Sequence, residues 1–144
     1  MAREDIVQKW LEQVDEDINA AECLFGGGHW LYVAFLCHQA IEKSLKAYYI
    51  ATHDDDQPYT HSHLRLLDVC GLTEKLSAEY LRFIDFMVPM YIKARYPEQK
   101  VAAARSLSKD TCYYIIETTK QLTQWIEERL PNSKPSTSCE STSE

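Results

Sequence analysis

Apolar residues recur every three or four positions near the start of the chain, and this spacing constrains the fold more than any other feature. The residues on this stripe are Val7, Trp10, Leu11, Val14, Ile18, Ala21 and Phe25. The spacing places them on one face of an α-helix, from about Glu4 to Leu24, that must pack against another element. Acidic residues, Asp17 among them, are assigned to the other faces. The three glycines at 26–28 predict the end of this helix.

The same periodicity predicts further helices along the chain. They are His29–Thr52, His63–Cys70, a segment beginning at Thr73, and a last helix from Val101 or Ser106 to Leu130. The second helix is apolar nearly all round at its start and is therefore predicted to be central. Pro89 is predicted to interrupt the segment that begins at Thr73. The glycine and proline counts of 4 and 5 argue against an all-β chain, which needs many turn residues.

The sequence therefore predicts an all-α fold, an up-and-down bundle of four to five helices. Residues 1–130 are predicted to form this single helical domain, because its length suffices for one core. Residues 131–144 are rich in Ser, Thr and Pro and are predicted to be a disordered tail.

Charge and cysteine usage limit the classes of function. Lys and Arg number 15 against 22 Asp and Glu, so the net charge of −7 argues against nucleic acid or an anionic membrane as a general partner. The five cysteines form no CxxC pair, which argues against a disulfide framework or a zinc ribbon. A charged N-terminus and the absence of a membrane-spanning apolar run predict a cytoplasmic protein.

Motifs for common chemistries are absent. The glycines at 26–28 match neither a dinucleotide-binding nor a P-loop pattern, and they are predicted to be a turn between helices. Histidines and aspartates crowd one segment, which contains His53, Asp54, Asp55, Asp56, His61 and His63. No Glu-x-x-His pattern places such groups on facing helices, so we predict a solvated loop and no metal site.

Polar residues in the second helix are the first candidate binding residues. Gln39, Lys43 and Lys46 are spaced four and three apart and share one helix face. Glu42 and Lys46 form an i,i+4 pair in the favourable orientation. Two interpretations remain open: hydrogen bonds and ion pairs between helices, or a basic rim for a phosphate-bearing ligand.

A second candidate cluster combines cations and aromatic rings between residues 91 and 97. Arg95 is suited to a forked contact with a phosphate, and Tyr91 or Tyr96 to stacking on a base. The alternative is that Arg95 pairs with Glu42 or another acid of the bundle.

Together the two clusters resemble the HEPN domain family, whose name abbreviates higher eukaryotes and prokaryotes nucleotide-binding. The resemblance rests on HQAIEKSLKAYYI, on Ser62-His63-Leu64 at the start of a short helix, and on Arg95-Tyr96-Pro97 before the last helix. It covers about residues 3 to 130. It implies an all-α homodimer that often acts beside a minimal nucleotidyltransferase.

Some members of this family are ribonucleases, and the sequence lacks their motif. That motif is an arginine, four to six intervening residues and a histidine, which together stabilise the phosphorane and move a proton. All five histidines precede residue 64, and no arginine has a histidine at that spacing. The resemblance to the branch with Arg-Tyr-Pro in this place implies nucleotide binding or a nucleotidyltransferase partner instead.

We therefore predict a cytoplasmic, homodimeric binding module for a nucleotide or another phosphate-bearing ligand, with no other cofactor. The predicted ligand groove is formed by Gln39, Lys43, Lys46, His63, Tyr91, Arg95 and Tyr96. Two alternatives remain. One is a divergent, toxin-like ribonuclease that uses His38 or His63. The other is a purely structural partner of a nucleotidyltransferase, in which the polar residues only fix helix register.

Overall fold

A computed structural model describes residues 2–90, 96, 98–99 and 105–131 of the chain. The elements whose bounds lie within these residues are five α-helices and one 3-10 helix. The helices are α1 (Arg3–Gly26), α2 (Trp30–Thr52), α3 (His63–Val69), α4 (Ala78–Met87) and α5 (Lys109–Glu127), and the 3-10 helix is Thr73–Lys75. The predicted all-α bundle is confirmed. In the same part of the chain, no helix is long and apolar enough to cross a membrane.

Helices α1 and α2 form an antiparallel pair joined by a glycine turn. Helix α1 ends at Gly26, and the backbone N–H of Gly27 donates to the carbonyl of Leu24 at 3.1 Å. Gly28 has a φ of 76°, a left-handed conformation that glycine adopts without a Cβ clash. The chain therefore reverses within three residues, and α2 packs along α1.

Serine caps set the starts of the three later helices. The hydroxyl of Ser62 accepts from the backbone N–H of Arg65, that of Ser77 from Tyr80, and that of Ser108 from Thr111. Each cap satisfies a backbone donor that the first turn of a helix leaves unpaired.

These caps account for two differences from the prediction. The segment predicted from Thr73 divides into the 3-10 helix Thr73–Lys75 and α4, because Leu76 is extended before the Ser77 cap. The last helix begins at Lys109, after the Ser108 cap, and not at Ser106. Val101 lies outside the described residues. Helix α4 ends at Met87, two residues before Pro89, as predicted.

The core lies around α2. Fully buried side chains from four helices meet there: Ile41 and Leu45 of α2, Leu66 of α3, Phe83 of α4 and Ile115 of α5. The central position predicted for α2 is confirmed, because it packs against α1, α3 and α5. Of the predicted tail only Pro131 is described, and residues 132–144 lie outside the described residues, so the tail and the domain boundary at residue 130 stay predictions.

Candidate functional site

A row of polar side chains lies on α2 between α1 on one side and the loop before α3 on the other. We define the polar strip as Gln39, Glu42, Lys43 and Lys46 of α2 together with His61 of that loop. Gln39, Lys43 and Lys46 belong to the predicted groove, and the helix brings them onto one face as their spacing requires. These three residues are therefore the part of the predicted groove that lies on one helix face, whereas Glu42 and His61 were not among the predicted groove residues.

Glu42 is the centre of the strip. Its buried carboxylate accepts a hydrogen bond from Lys46 Nζ at 2.9 Å, and His61 Nδ1 lies 3.0 Å from the same oxygen. A buried carboxylate is costly unless charge and hydrogen bonds compensate it, and both partners supply that compensation. Glu42 therefore fixes the positions of a nearly buried ammonium, that of Lys46, and of the half-exposed imidazole of His61.

Lys43 joins the strip to α1. Its Nζ lies 2.9 Å from Oδ2 of Asp17, and the two side chains are 22% and 12% exposed. Asp17 Oδ2 accepts no aligned hydrogen bond from a described residue, so this contact is an ion pair without hydrogen-bond geometry. On the same edge, Lys46 Nζ lies 6.0 Å from the centre of the Trp10 ring. One interpretation predicted ion pairs between helices: Lys43 and Asp17 form such a pair between α2 and α1, whereas Lys46 pairs with Glu42 within α2.

The remaining predicted groove residues differ in their surroundings. The Oε1 atom of Gln39 is buried and has no hydrogen-bond partner among the residues the structure describes. Tyr96 is 50% exposed. Tyr91 and Arg95 lie outside the described residues, so whether Arg95 pairs with Glu42 or faces a ligand stays open.

His63 lies in the core and not on the strip. Its side chain is 1% exposed, and its Nε2–H donates to the backbone carbonyl of His38 at 2.9 Å. Burial lowers the pKa of His63 to about 4 and that of His38, with a further contribution from His63 itself, to about 2. Both rings are therefore neutral near pH 7. The ribonuclease alternative requires one of them at a surface, and in this conformation both are buried.

Two residues of this region were not predicted as part of the site. Asp17 was assigned to a polar face of α1, but it is buried and pairs with Lys43. Asp17 lies three residues after Val14 and four before Ala21, so it follows the spacing of the apolar residues. This spacing could have indicated that Asp17 is buried. His61 was assigned to a solvated loop, and no local pattern connects it with Glu42, which is 19 residues away.

The predicted loop cluster of histidines and aspartates is dispersed. His53 stacks on Tyr49, and the Tyr49 hydroxyl donates to Asp55. His61 contacts Glu42, whereas His63 is in the core. Across the described stretches of the chain, no three His, Cys, Asp or Glu side chains are arranged to hold a metal ion.

A cleft of about 700 Å³ opens at one end of the bundle, but its chemistry does not suit a phosphate. It is lined by the start of α1 and the ends of α2 and α5, and none of the described groove residues lines it. The carboxylates at the cleft are Glu4, Asp54, Glu127 and Glu128. The one arginine there, Arg3, donates to the backbone carbonyls of residues 50, 54 and 55. An anion is therefore repelled from this cleft, and the strip remains the better candidate.

Comparison with known proteins gives a family and a fold. The sequence model of one family, described as the HEPN domain, matches residues 7–129. A crystal structure of the protein TT1696 from Thermus thermophilus has a similar fold, with a TM-score of 0.73 at 24% sequence identity. The similarity covers 86% of this chain and 98% of the other. No curated protein sequence matches this chain significantly.

Proposed function

Because the chain belongs to the HEPN domain family, we propose that it is a binding module whose polar strip takes a nucleotide or another phosphate-bearing ligand. The observation that carries the proposal is the placement of Lys43, Lys46 and His61 on one strip of α2 and its neighbouring loop, where their side chains are 22%, 11% and 54% exposed. Two ammonium groups and an imidazole lie there, each beside the carboxylate of Glu42 or Asp17, in a chain of net charge −7. Such a local concentration suits an anion of limited size better than a long polyanion.

The ion pairs of the two lysines are compatible with ligand binding. An ammonium carries three N–H donors, and the hydrogen bond to Glu42 uses one donor of Lys46. The contact between Lys43 and Asp17 is not an aligned hydrogen bond, so the N–H groups of Lys43 can donate to a ligand. The carboxylates therefore position the ammonium groups, and a bound phosphate accepts hydrogen bonds from the N–H donors that the carboxylates do not use.

Gln39 adds a polar contact for the rest of the ligand. A buried acceptor without a partner costs about 1–3 kcal/mol. The Oε1 of Gln39 is such an acceptor within the described residues, and an N–H or O–H group of a nucleotide would satisfy it. We further propose that Arg95 contacts the phosphate and that Tyr91 or Tyr96 stacks on the base, as the sequence predicts.

Native mass spectrometry with ADP, ATP, NAD and a short RNA tests the proposal. We expect one nucleotide per chain for the wild-type protein and a weaker complex for Lys46→Gln. Lys120→Gln is the matched control, because Lys120 also forms an ion pair, with Glu22 at 2.6 Å, but on α5 and away from the strip. A wild-type protein that binds no member of this panel would overturn the proposal. Equal losses of nucleotide affinity in Lys46→Gln and Lys120→Gln would also overturn it.

The proposal includes two protein partners, a second copy of the chain and a minimal nucleotidyltransferase. Family membership supports both, because the resemblance to the HEPN family implies a homodimer that often acts beside such a partner. Sedimentation at micromolar concentration tests the dimer, and a monomer at that concentration would contradict it.

A pull-down with a nucleotidyltransferase tests the second partner. Capture that survives Lys43→Ala and Arg95→Ala would favour a partner surface separate from the ligand site.

A further inference from the structure

We propose that a groove between α1 and α5 is a docking site for a basic, partly apolar segment of another protein. One part of this groove is the cleft of about 700 Å³ at the end of the bundle. The other part is a hollow of about 440 Å³, which shares Gln124 and Glu127 with the cleft. We call the two parts together the seam groove. No residue of the polar strip lines the seam groove, so this inference is independent of the proposed function.

The seam groove is elongated and follows α1. Glu4 lines the cleft, and Glu22 lines the hollow, where the ion pair between Lys120 and Glu22 joins α5 to α1. Glu4 and Glu22 both belong to α1, so at 1.5 Å per residue they lie about 27 Å apart along the helix axis. This length matches about eight residues of extended chain. A segment of polypeptide therefore fits the seam groove better than a compact small molecule does.

Apolar side chains of α1 line both parts of the seam groove. Val7 and Leu11 line the cleft, and Val14 and Ile18 line the hollow, so the contacts follow the apolar stripe of the helix. Val7 and Leu11 are only partly buried, as is Leu130, which also lines the cleft. Helix α5 therefore leaves part of the stripe uncovered, and a partner with apolar side chains would bury it.

Carboxylates outnumber ammonium and guanidinium groups along the seam groove. Six acidic residues line it: Glu4, Asp15, Glu22, Asp54, Glu127 and Glu128. The lysine and arginine residues that line it are Arg3 and Lys120. Arg3 donates to three backbone carbonyls, and Lys120 pairs with Glu22. The seam groove therefore has an excess of negative charge that attracts a basic partner.

The excess charge is concentrated where the two parts of the seam groove meet. No described lysine or arginine forms an ion pair with Asp15 or Glu127. Partial burial, together with the nearby carboxylates of Asp15 and Glu128, raises the pKa of Glu127. An ammonium or guanidinium of a partner would relieve this repulsion. A second copy of this chain does not suit the seam groove, because its net charge of −7 is repelled by the same carboxylates.

Fluorescence anisotropy with a labelled peptide of about eight residues, in which leucine and lysine alternate, tests the inference. We expect the full chain to bind this peptide and the affinity to fall as the salt concentration rises. Glu127→Lys should weaken binding about tenfold. Glu79→Lys is the matched control, because it changes the net charge equally at an exposed residue of α4 that does not line the seam groove. It should bind the peptide like the wild type.

A second peptide, with serine in place of leucine, tests the apolar contacts. We expect it to bind about tenfold more weakly than the first peptide, because it buries no large apolar side chain. Three results would overturn the inference: no binding of the first peptide by the wild type, equal binding of the two peptides, or equal losses in Glu127→Lys and Glu79→Lys.

A chain truncated after Pro131 tests whether residues 132–144 occupy the seam groove themselves. Equal affinity of the full and truncated chains for the first peptide would support docking of another protein. Tighter binding by the truncated chain would assign the seam groove to the chain's own tail and overturn the inference. Each of these results leaves the proposed function standing, because binding of ADP to the polar strip is measured separately.

Discussion

His38 and His63 stack in the core with their ring centroids 3.8 Å apart and an interplanar angle of 28°. The contact joins α2 to the first residue of α3, and the hydrogen bond from His63 to the carbonyl of His38 reinforces it. Two stacked imidazoles tolerate burial when both are neutral, because a charge on either ring would be desolvated and would repel a charge on the other. The pair therefore couples the stability of the fold to pH.

We predict that stability falls as the pH decreases below about 6.5. Burial lowers the pKa of His63 to about 4 in the folded protein, so the unfolded chain binds its proton first. The contribution is fully present above the unfolded pKa near 6.5 and is lost as the pH falls through about 4, with a total of about 3 kcal/mol. Urea unfolding at pH 7 and pH 4.5 measures it. His63→Phe keeps an aromatic ring and should lose less stability over that interval; parallel losses in the two proteins would show that His63 is not responsible.

The ion pair between Asp17 and Lys43 should contribute measurably to stability. Lys43→Gln leaves a nearly buried carboxylate without its cation, and we expect a loss of about 1–2 kcal/mol, below the value for a fully buried pair because Lys43 is 22% exposed. Asp17→Asn combined with Lys43→Gln should recover part of this loss. A double-mutant cycle by urea unfolding measures the coupling. The Lys120–Glu22 pair, about 40% exposed, is the comparison and should couple by less than about 1 kcal/mol. Equal coupling in the two pairs would contradict the prediction.

The glycine turn between α1 and α2 permits a test of backbone strain. Gly28 has a φ of 76°, whereas Gly26 is helical and a Cβ there would meet nothing within 4 Å. Gly28→Ala should therefore destabilise the protein by about 1 kcal/mol, and Gly26→Ala should be neutral or slightly stabilising. Thermal unfolding of the two variants measures the difference. A Gly28→Ala variant as stable as Gly26→Ala would show that this turn carries no strain.

The exposed cysteine should react with thiol reagents faster than the buried cysteines do. Desolvation raises the pKa of Cys37 and Cys70 to about 12 and that of Cys112 to about 11, whereas Cys23 is exposed. In a Cys139→Ser background we expect one thiol, that of Cys23, to react rapidly with a disulfide reagent under native conditions. The other three should react after denaturation. Rapid native reaction of more than one thiol would contradict the packing of the core.

The fold could be predicted from the sequence because its signals are local. Apolar spacing, the glycines at 26–28 and Pro89 each act within one or two helical turns, and the structure has the helices they predict. The start of α5 was missed because the Ser108 cap, and not the apolar spacing, sets it. The separation of the 3-10 helix Thr73–Lys75 from α4 was also missed, because the Ser77 cap sets the start of α4.

The site could be predicted only in part, because its contacts join distant residues. Helical spacing placed Gln39, Lys43 and Lys46 on one face, and the structure has them there. Which acids meet these cations depends on how α1 lies against α2, and the spacing within one helix does not contain that information. His61 and His63 are two residues apart, yet one is at the surface and the other in the core. Only the packing of α3 distinguishes them.

Amide chemical shifts recorded during an ADP titration report where on the bundle a phosphate-bearing ligand binds. We expect the largest changes at Gln39, Lys43, Lys46 and His61. Lys120 and Glu127, which lie on α5 away from the strip, should change little. Changes confined to the cleft lined by Glu4, Glu127 and Glu128, or no changes at saturating ADP, would contradict the proposed ligand site.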